Sequence, residues 1–346
     1  MRSLTCSVLV LLLCGVAGGQ TAFVHARVFD GTRVLGNQTV VIEGGVIAAV
    51  GGKPPKGYTV IDARGKTLLP GLIDSYGDTK GAEAALNFGV TTIISPQDWV
   101  QLIYDDGFAW GQRHPSAGFI ALNEEVDRQH KDHKHVMVEV GSLRESMEAL
   151  SAEADGLVRI FAGVRTDPEL VKLFLKRKAF LIPVLTMIDN ASGLATGERL
   201  GSDPRLARYL TAEQQAALKE RVPGKVRIEG SFMALHDLYA ARVPMLAGDG
   251  FGNPGTVAGA SLHHELELMV RGIRMKPVEA LVAATSRPAE VFGLTDRGVI
   301  AKGKRADLLL VKGNPMRSIL ATRDIVGVWK QGERVIRQCS DAAGCP

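Results

Sequence analysis

The sequence predicts an α/β chain, a TIM-like (β/α) barrel of about seven strands beside a small β-sandwich built from both termini. Three observations predict it. Residues 22–50 read as strand, turn, strand: "AFVHARVF", then Asp30-Gly31, then "TVVIEGGVIAAV" folded at Gly44-Gly45. Residues 299–336 repeat this through "ADLLLVKG" and "IVGVWKQGERVI", with a turn at Gln331-Gly332. Between them, residues 70–294 alternate short apolar strands with amphipathic helices, as a parallel sheet covered on its outer side requires.

Taken in order, the chain starts with Arg2, an apolar run from Val8 to Val16, and the small residues Ala17, Gly18 and Gly19. That is the pattern of a cleaved secretory signal, and the run is too short for a membrane span. Residues 1–19 are thus expected to be removed and the protein exported, to a periplasm or outside the cell. Residues 20–69 with 296–338 form the composite β unit, 70–295 the barrel, and 339–346 a tail. Export leaves Cys339 and Cys345, which an oxidising compartment favours as a disulfide.

The central strands fall at Leu69–Ile73, Val90–Ile94, Trp99–Ile103, Val136–Val140, Leu157–Ile160, Phe180–Leu185 and Pro244–Ala247. One helix start is sharply marked, with Asp167 as N-cap, Pro168 at the first position and Glu169 in the first turn. Only five residues, Ile93 to Gln97, separate Thr92 from Asp98. That is too few for a helical crossover, so the barrel wall is expected to be incomplete there, with residues 107–119 as its cover.

Composition narrows the function. The net charge is 41 − 37 = +4, spread along the chain, which gives no case for nucleic acid or an acidic membrane. No serine sits in a Gly-any-Ser-any-Gly elbow, and "GDGFGNPG" lacks the spacing and lysine of a phosphate loop. His130, His133 and His135 lie where a helix meets the next strand, the face of a barrel opposite the chemistry. His263-His264 reads as capping or loop packing, and Asp105-Asp106 as a turn.

Several phrases, "TLLPGLID", "VEVGSLRESMEAL", "LAGDGFGNPGTVAGASLHHELELMV", "ALVAATSRPAEVFGL" and "DRGVIAKGKRADLLLVKGNP", make the chain resemble the amidohydrolase superfamily, in particular its imidazolonepropionase-like secreted members. The resemblance implies a barrel with a terminal β-sandwich and one or two divalent metals at the C-terminal strand ends. There a metal-bound water attacks a C–N or related bond. The implied ligands are a His-any-His pair, a lysine, two later histidines and an aspartate. Here those positions hold Tyr76 and Asp78, Gln101, Glu139, Arg159, and Gly250 with Asp249 one place early.

Two readings follow. In the first the fold is kept without chemistry or cofactor, and the protein binds or scaffolds a small molecule or protein partner that the sequence does not name. Arg159 then takes the place of the metal, pairing with Glu139 and reaching Asp78 or Tyr76. In the alternative the chain is an active hydrolase of non-peptide C–N bonds, such as amides or lactams, with an altered site. That reading admits one divalent metal on the oxygens of Asp78, Glu139 and Asp249, against which stand the charge of Arg159 and the register of Asp249.

Overall fold

In the computed structural model, which describes residues 20–94, 99–111, 113, 115–222 and 226–340, both ends of the chain enter one sheet. The N-terminal strands are β1 (Thr21–Phe29), β2 (Val34–Glu43), β3 (Val46–Val50), β4 (Thr59–Asp62) and β5 (Lys66–Pro70). The central ones are β6 (Leu72–Asp74), β7 (Val90–Ile93), β8 (Trp99–Tyr104), β9 (His135–Val140), β10 (Gly156–Val158) and β11 (Phe180–Ile182). The last are β12 (Leu308–Lys312), β13 (Ile325–Lys330) and β14 (Glu333–Arg334).

The terminal sheet runs β14-β13-β12-β5-β1-β2-β3, with β4 also on β1. Its turns are those the glycines announce: Gly44 and Gly45 both have positive φ, as do Gln331 and Gly332, which is what two-residue hairpins need. The sheet folds over its own apolar face. Phe23 on β1 and Trp329 on β13 meet edge to face at 4.7 Å although two strands stand between them in the ladder. They share a core with Ile42, Ile47, Leu68 and Leu308, separate from that of the barrel.

The barrel wall reads β7-β6, then residues 244–248, then β11-β10-β9-β8. The segment 244–248 joins through single bonds rather than a full ladder: Leu181 N donates to Pro244 O, Leu246 N to Leu181 O, and Ser75 N to Ala247 O. Among the described residues no ladder joins β7 to β8. The connection itself lies in residues 95–98, outside the described residues.

Two expected strands are shorter than their apolar runs. Leu69–Ile73 divides at Gly71, so that Leu69 pairs with Leu309 in the terminal sheet while Leu72 pairs with Val90 in the barrel. Gly71 is required there, because a Cβ would collide with the Thr91 side chain. Phe180–Leu185 stops at Ile182. Val184 is in the left-handed region at φ 48° and Leu185 begins a helix, so β branching did not extend the strand.

The helix Pro168–Arg177 begins as its signals indicate, with Asp167 accepting from Glu169 N at 2.7 Å. The helix Leu143–Ser151 starts on a capping box in which Ser142 and Glu145 satisfy each other's backbone N–H. Among the described residues no helix is long and apolar enough to cross a membrane.

Candidate functional site

The C-terminal strand ends of the barrel bring together four residues that the sequence singled out. Glu139, near the end of β9, accepts from the Tyr76 hydroxyl at 2.7 Å and from Gln101 Nε2 at 2.9 Å on one oxygen. Its other oxygen lies 2.5 Å from an Arg159 guanidinium nitrogen. The register explains the meeting of Gln101 with Glu139: Gln101 on β8 stands opposite Met137, two residues before Glu139, so both side chains share one face. On β10 it is Val158 that stands opposite Glu139.

Arg159 enters this cluster through an unusual backbone. It follows β10 with φ 67°, a conformation that costs a non-glycine residue about 1–2 kcal/mol. The same nitrogen that meets Glu139 also bonds Asp105 at 2.8 Å. The Trp110 ring lies 5.1 Å from the guanidinium carbon, and the Trp110 indole N–H donates to Asp105 at 2.9 Å. Arg159 and Asp105 are both buried. Burial, followed by the Glu139 charge, raises the Tyr76 hydroxyl above its ordinary value, so it stays a neutral donor to Glu139.

The other expected positions sit apart from the cluster. Asp78 is a half-exposed cap of the short 3-10 turn Thr79–Gly81, accepting from Lys80 N at 2.9 Å; it makes no bond to Arg159. Gly250 serves as backbone. It has φ 67°, and its carbonyl accepts from Asn253 Nδ2 and the Thr256 hydroxyl. Asp249 is fully buried against Asp74. Its carboxylate accepts from Phe251 N at 2.7 Å and Gly259 N at 2.8 Å, while Asp74 accepts from the backbone N–H of Tyr76 and Asp249. Burial and then the neighbouring Asp74 push the Asp249 carboxyl well above the carboxylate range.

Asp105, Trp110 and Asp74 are the residues the sequence reading did not place in the site. Asp105 does make the turn bond read for it, to Gly107 N at 2.8 Å, but it is also the second partner of Arg159. Trp110 belongs to the segment expected to cover the open wall, and its ring lies over Arg159. The histidines keep to structural positions. His130 and His135 both face Asp155, and His263 sits between Phe88 O and the Thr322 hydroxyl, each at 2.9 Å. Cys339 is disulfide-bonded; Cys345 and residues 1–19, with the proposed signal, lie outside the described residues.

Beside the cluster opens a cleft of about 270 Å³, lined by Tyr76, Asp78, Gln101, Ile94, Met137 and Phe251 among others. Gly77 forms part of this wall directly over the acid pair; a Cβ there would strike the Asp74 carboxylate.

Residues 227–336 match the family described as "Amidohydrolase family". An imidazolonepropionase of Cereibacter sphaeroides is 32% identical over 178 residues, 47% of this chain and 44% of that protein. The chain thus matches less than half the length of that relative. An enamidase of Eubacterium barkeri is 24% identical over 349 aligned positions, 87% of each chain. The crystal structure of A. niger ochratoxinase superposes with a TM-score of 0.69 at 16% identity, covering 91% of this chain and 95% of the other.

These matches correct the expectation that the protein has no cofactor. The resemblance carries metal dependence with it, and the structure provides a group for a cation: Asp105, Asp106 and Glu145 each bring a carboxylate oxygen within 4.8 Å of the others. An all-carboxylate set suits a hard divalent ion. Glu139 is held by three donors, one of them a guanidinium, and Asp105 by Gly107 N, Trp110 Nε1 and the same guanidinium.

Proposed function

We propose that this chain, which belongs to the amidohydrolase superfamily, hydrolyses non-peptide C–N bonds of small amides or lactams in the cleft at the barrel mouth. One observation carries the reading: half-exposed Asp78 lines a small cleft together with Tyr76 and Gln101, whose polar ends are fixed by Glu139 and Arg159. A carboxylate so placed can take a proton from a water held beside the substrate. The water oxygen then bonds to the carbonyl carbon, the C–N bond breaks, and the proton passes to the leaving nitrogen. The rigid wall fixes the substrate's orientation.

The relatives' names support catalysis over the reading in which chemistry has been lost, toward which the sequence alone leaned. A second reading, ligand binding without turnover, draws on a specific observation: Arg159 is buried in the mouth and tied to two carboxylates. The two separate in a turnover assay of folded protein over amides and lactams, with Asp78→Asn as control. Export is proposed on the N-terminal pattern, and sequencing the N-terminus of the mature protein tests it.

A further inference from the structure

We infer that the cleft selects a small molecule with a cationic or hydrogen-bond-donating end on an apolar body, and rejects carboxylates. This rests on the hydrolase reading and names the substrate class of that same site.

Glu139 sets which polar ends face the cleft. A carboxylate only accepts hydrogen bonds, so the Tyr76 hydroxyl and Gln101 Nε2 must both point their hydrogens at it. That fixes the Gln101 amide, whose second N–H reaches the Tyr76 oxygen at 3.4 Å, and its carbonyl oxygen is the end left over. The Tyr76 oxygen, its hydrogen on Glu139 and one lone pair on Gln101, keeps only acceptor capacity for a ligand. Asp78 adds a carboxylate on the same cleft, with one oxygen on Lys80 N. Ser75, also on this wall, has a buried hydroxyl without a partner among the described residues, and a hydroxyl accepts as well as donates. Glu139 therefore turns two side chains that usually donate into acceptors.

Charge acts in the same direction. Asp105 and Glu139 share the single positive charge of Arg159, which leaves one negative charge, and Asp78 adds a second. Lys80 stands 3.9 Å from Asp78 but is almost wholly in solvent, where screening weakens it. Ile94, Met137 and Phe251 supply the apolar side. The volume, about 270 Å³, lies just under the roughly 300–1,000 Å³ of ordinary ligand pockets, so the molecule is small.

The test is calorimetric titration of the full mature chain at low salt with benzamidine, benzamide and benzoate, three probes of one shape and different polar ends. Benzamidine is expected to bind at least about tenfold tighter than benzoate, with benzamide between them. Asp78→Asn should reduce benzamidine affinity more than benzamide affinity. Benzoate binding as tightly as benzamidine, binding by none of the three, or a benzamidine affinity indifferent to Asp78→Asn would each overturn the inference. Binding is read without turnover. Cation selectivity in a protein that hydrolyses nothing would remove the hydrolase reading alone, and turnover of anionic amides would remove this inference alone.

Discussion

Arg159 is the buried cation of the mouth, and its replacement should be costly. Its guanidinium is buried between Glu139 and Asp105, and removing one partner of such a group leaves uncompensated charge. Arg159→Met should therefore destabilise the protein by about 3–5 kcal/mol in denaturant unfolding. Adding Glu139→Gln should restore part of that, and only part, since Asp105 stays unpaired. A single variant that unfolds like the parent would contradict this. The pairing with Glu139 was expected from neighbouring strands, but the register sets Val158 opposite Glu139 and Arg159 reaches it through its left-handed backbone. The pairing with Asp105 was not: two adjacent acids at a strand end read as a turn, and the longer reach depends on how Trp110 folds back. Asp249 was illegible for a related reason, since its environment is made by Asp74, a residue that strand register alone did not bring into the site.

Between elements, Gly71 and His263 decide how the parts join. Gly71 is the point where one apolar run leaves the terminal sheet for the barrel, and its α-carbon lies against Thr91. Gly71→Ala should cost about 1–3 kcal/mol by overpacking, seen as a lower midpoint of chemical unfolding. His263 ties the helix Ala260–Arg271 to Phe88 and Thr322. Burial, then the Arg323 charge, lowers its pKa to about 3, so the ring is neutral when folded, with Nε2 donating to the Phe88 carbonyl. A depressed folded pKa means stability that is present above the unfolded value of about 6.5 and lost as pH falls toward 3. Parent protein should lose stability below about pH 6.5 by up to roughly 1.4 kcal/mol per unit from this group, and His263→Gln should flatten that slope. Equal slopes in urea titrations at pH 7 and pH 5 would refute it. Helix starts and hairpin turns were legible because capping and positive φ are local. The break at Gly71 was not, because it answers to a side chain twenty residues away.

For the molecule as a whole, both termini close on the same sheet, and the tail beyond it is docked by its own bonds. Arg337 Nε donates to Asn87 O at 2.7 Å, Gln338 N to Asn87 Oδ1 at 2.9 Å, and Ser340 N to Arg208 O at 2.8 Å. Reduction of the disulfide at Cys339 should therefore barely lower the melting temperature, while mass spectrometry of unreduced protein should find Cys339 linked to Cys345. The alternation of strands and helices made the barrel legible. Whether its mouth still works was not, because catalysis depends on where Asp78, Tyr76 and Gln101 converge. The central claim is that this mouth hydrolyses C–N bonds, and the direct measurement is amine or ammonia release by the folded mature protein. The assay would span small amides, lactams and cyclic amidines, each with and without added magnesium, manganese or zinc. The account predicts release from at least one substrate, reduced on the order of a hundredfold or more by Asp78→Asn with unfolding unchanged. No release above buffer from any substrate under any metal, by protein that is demonstrably folded, would contradict it.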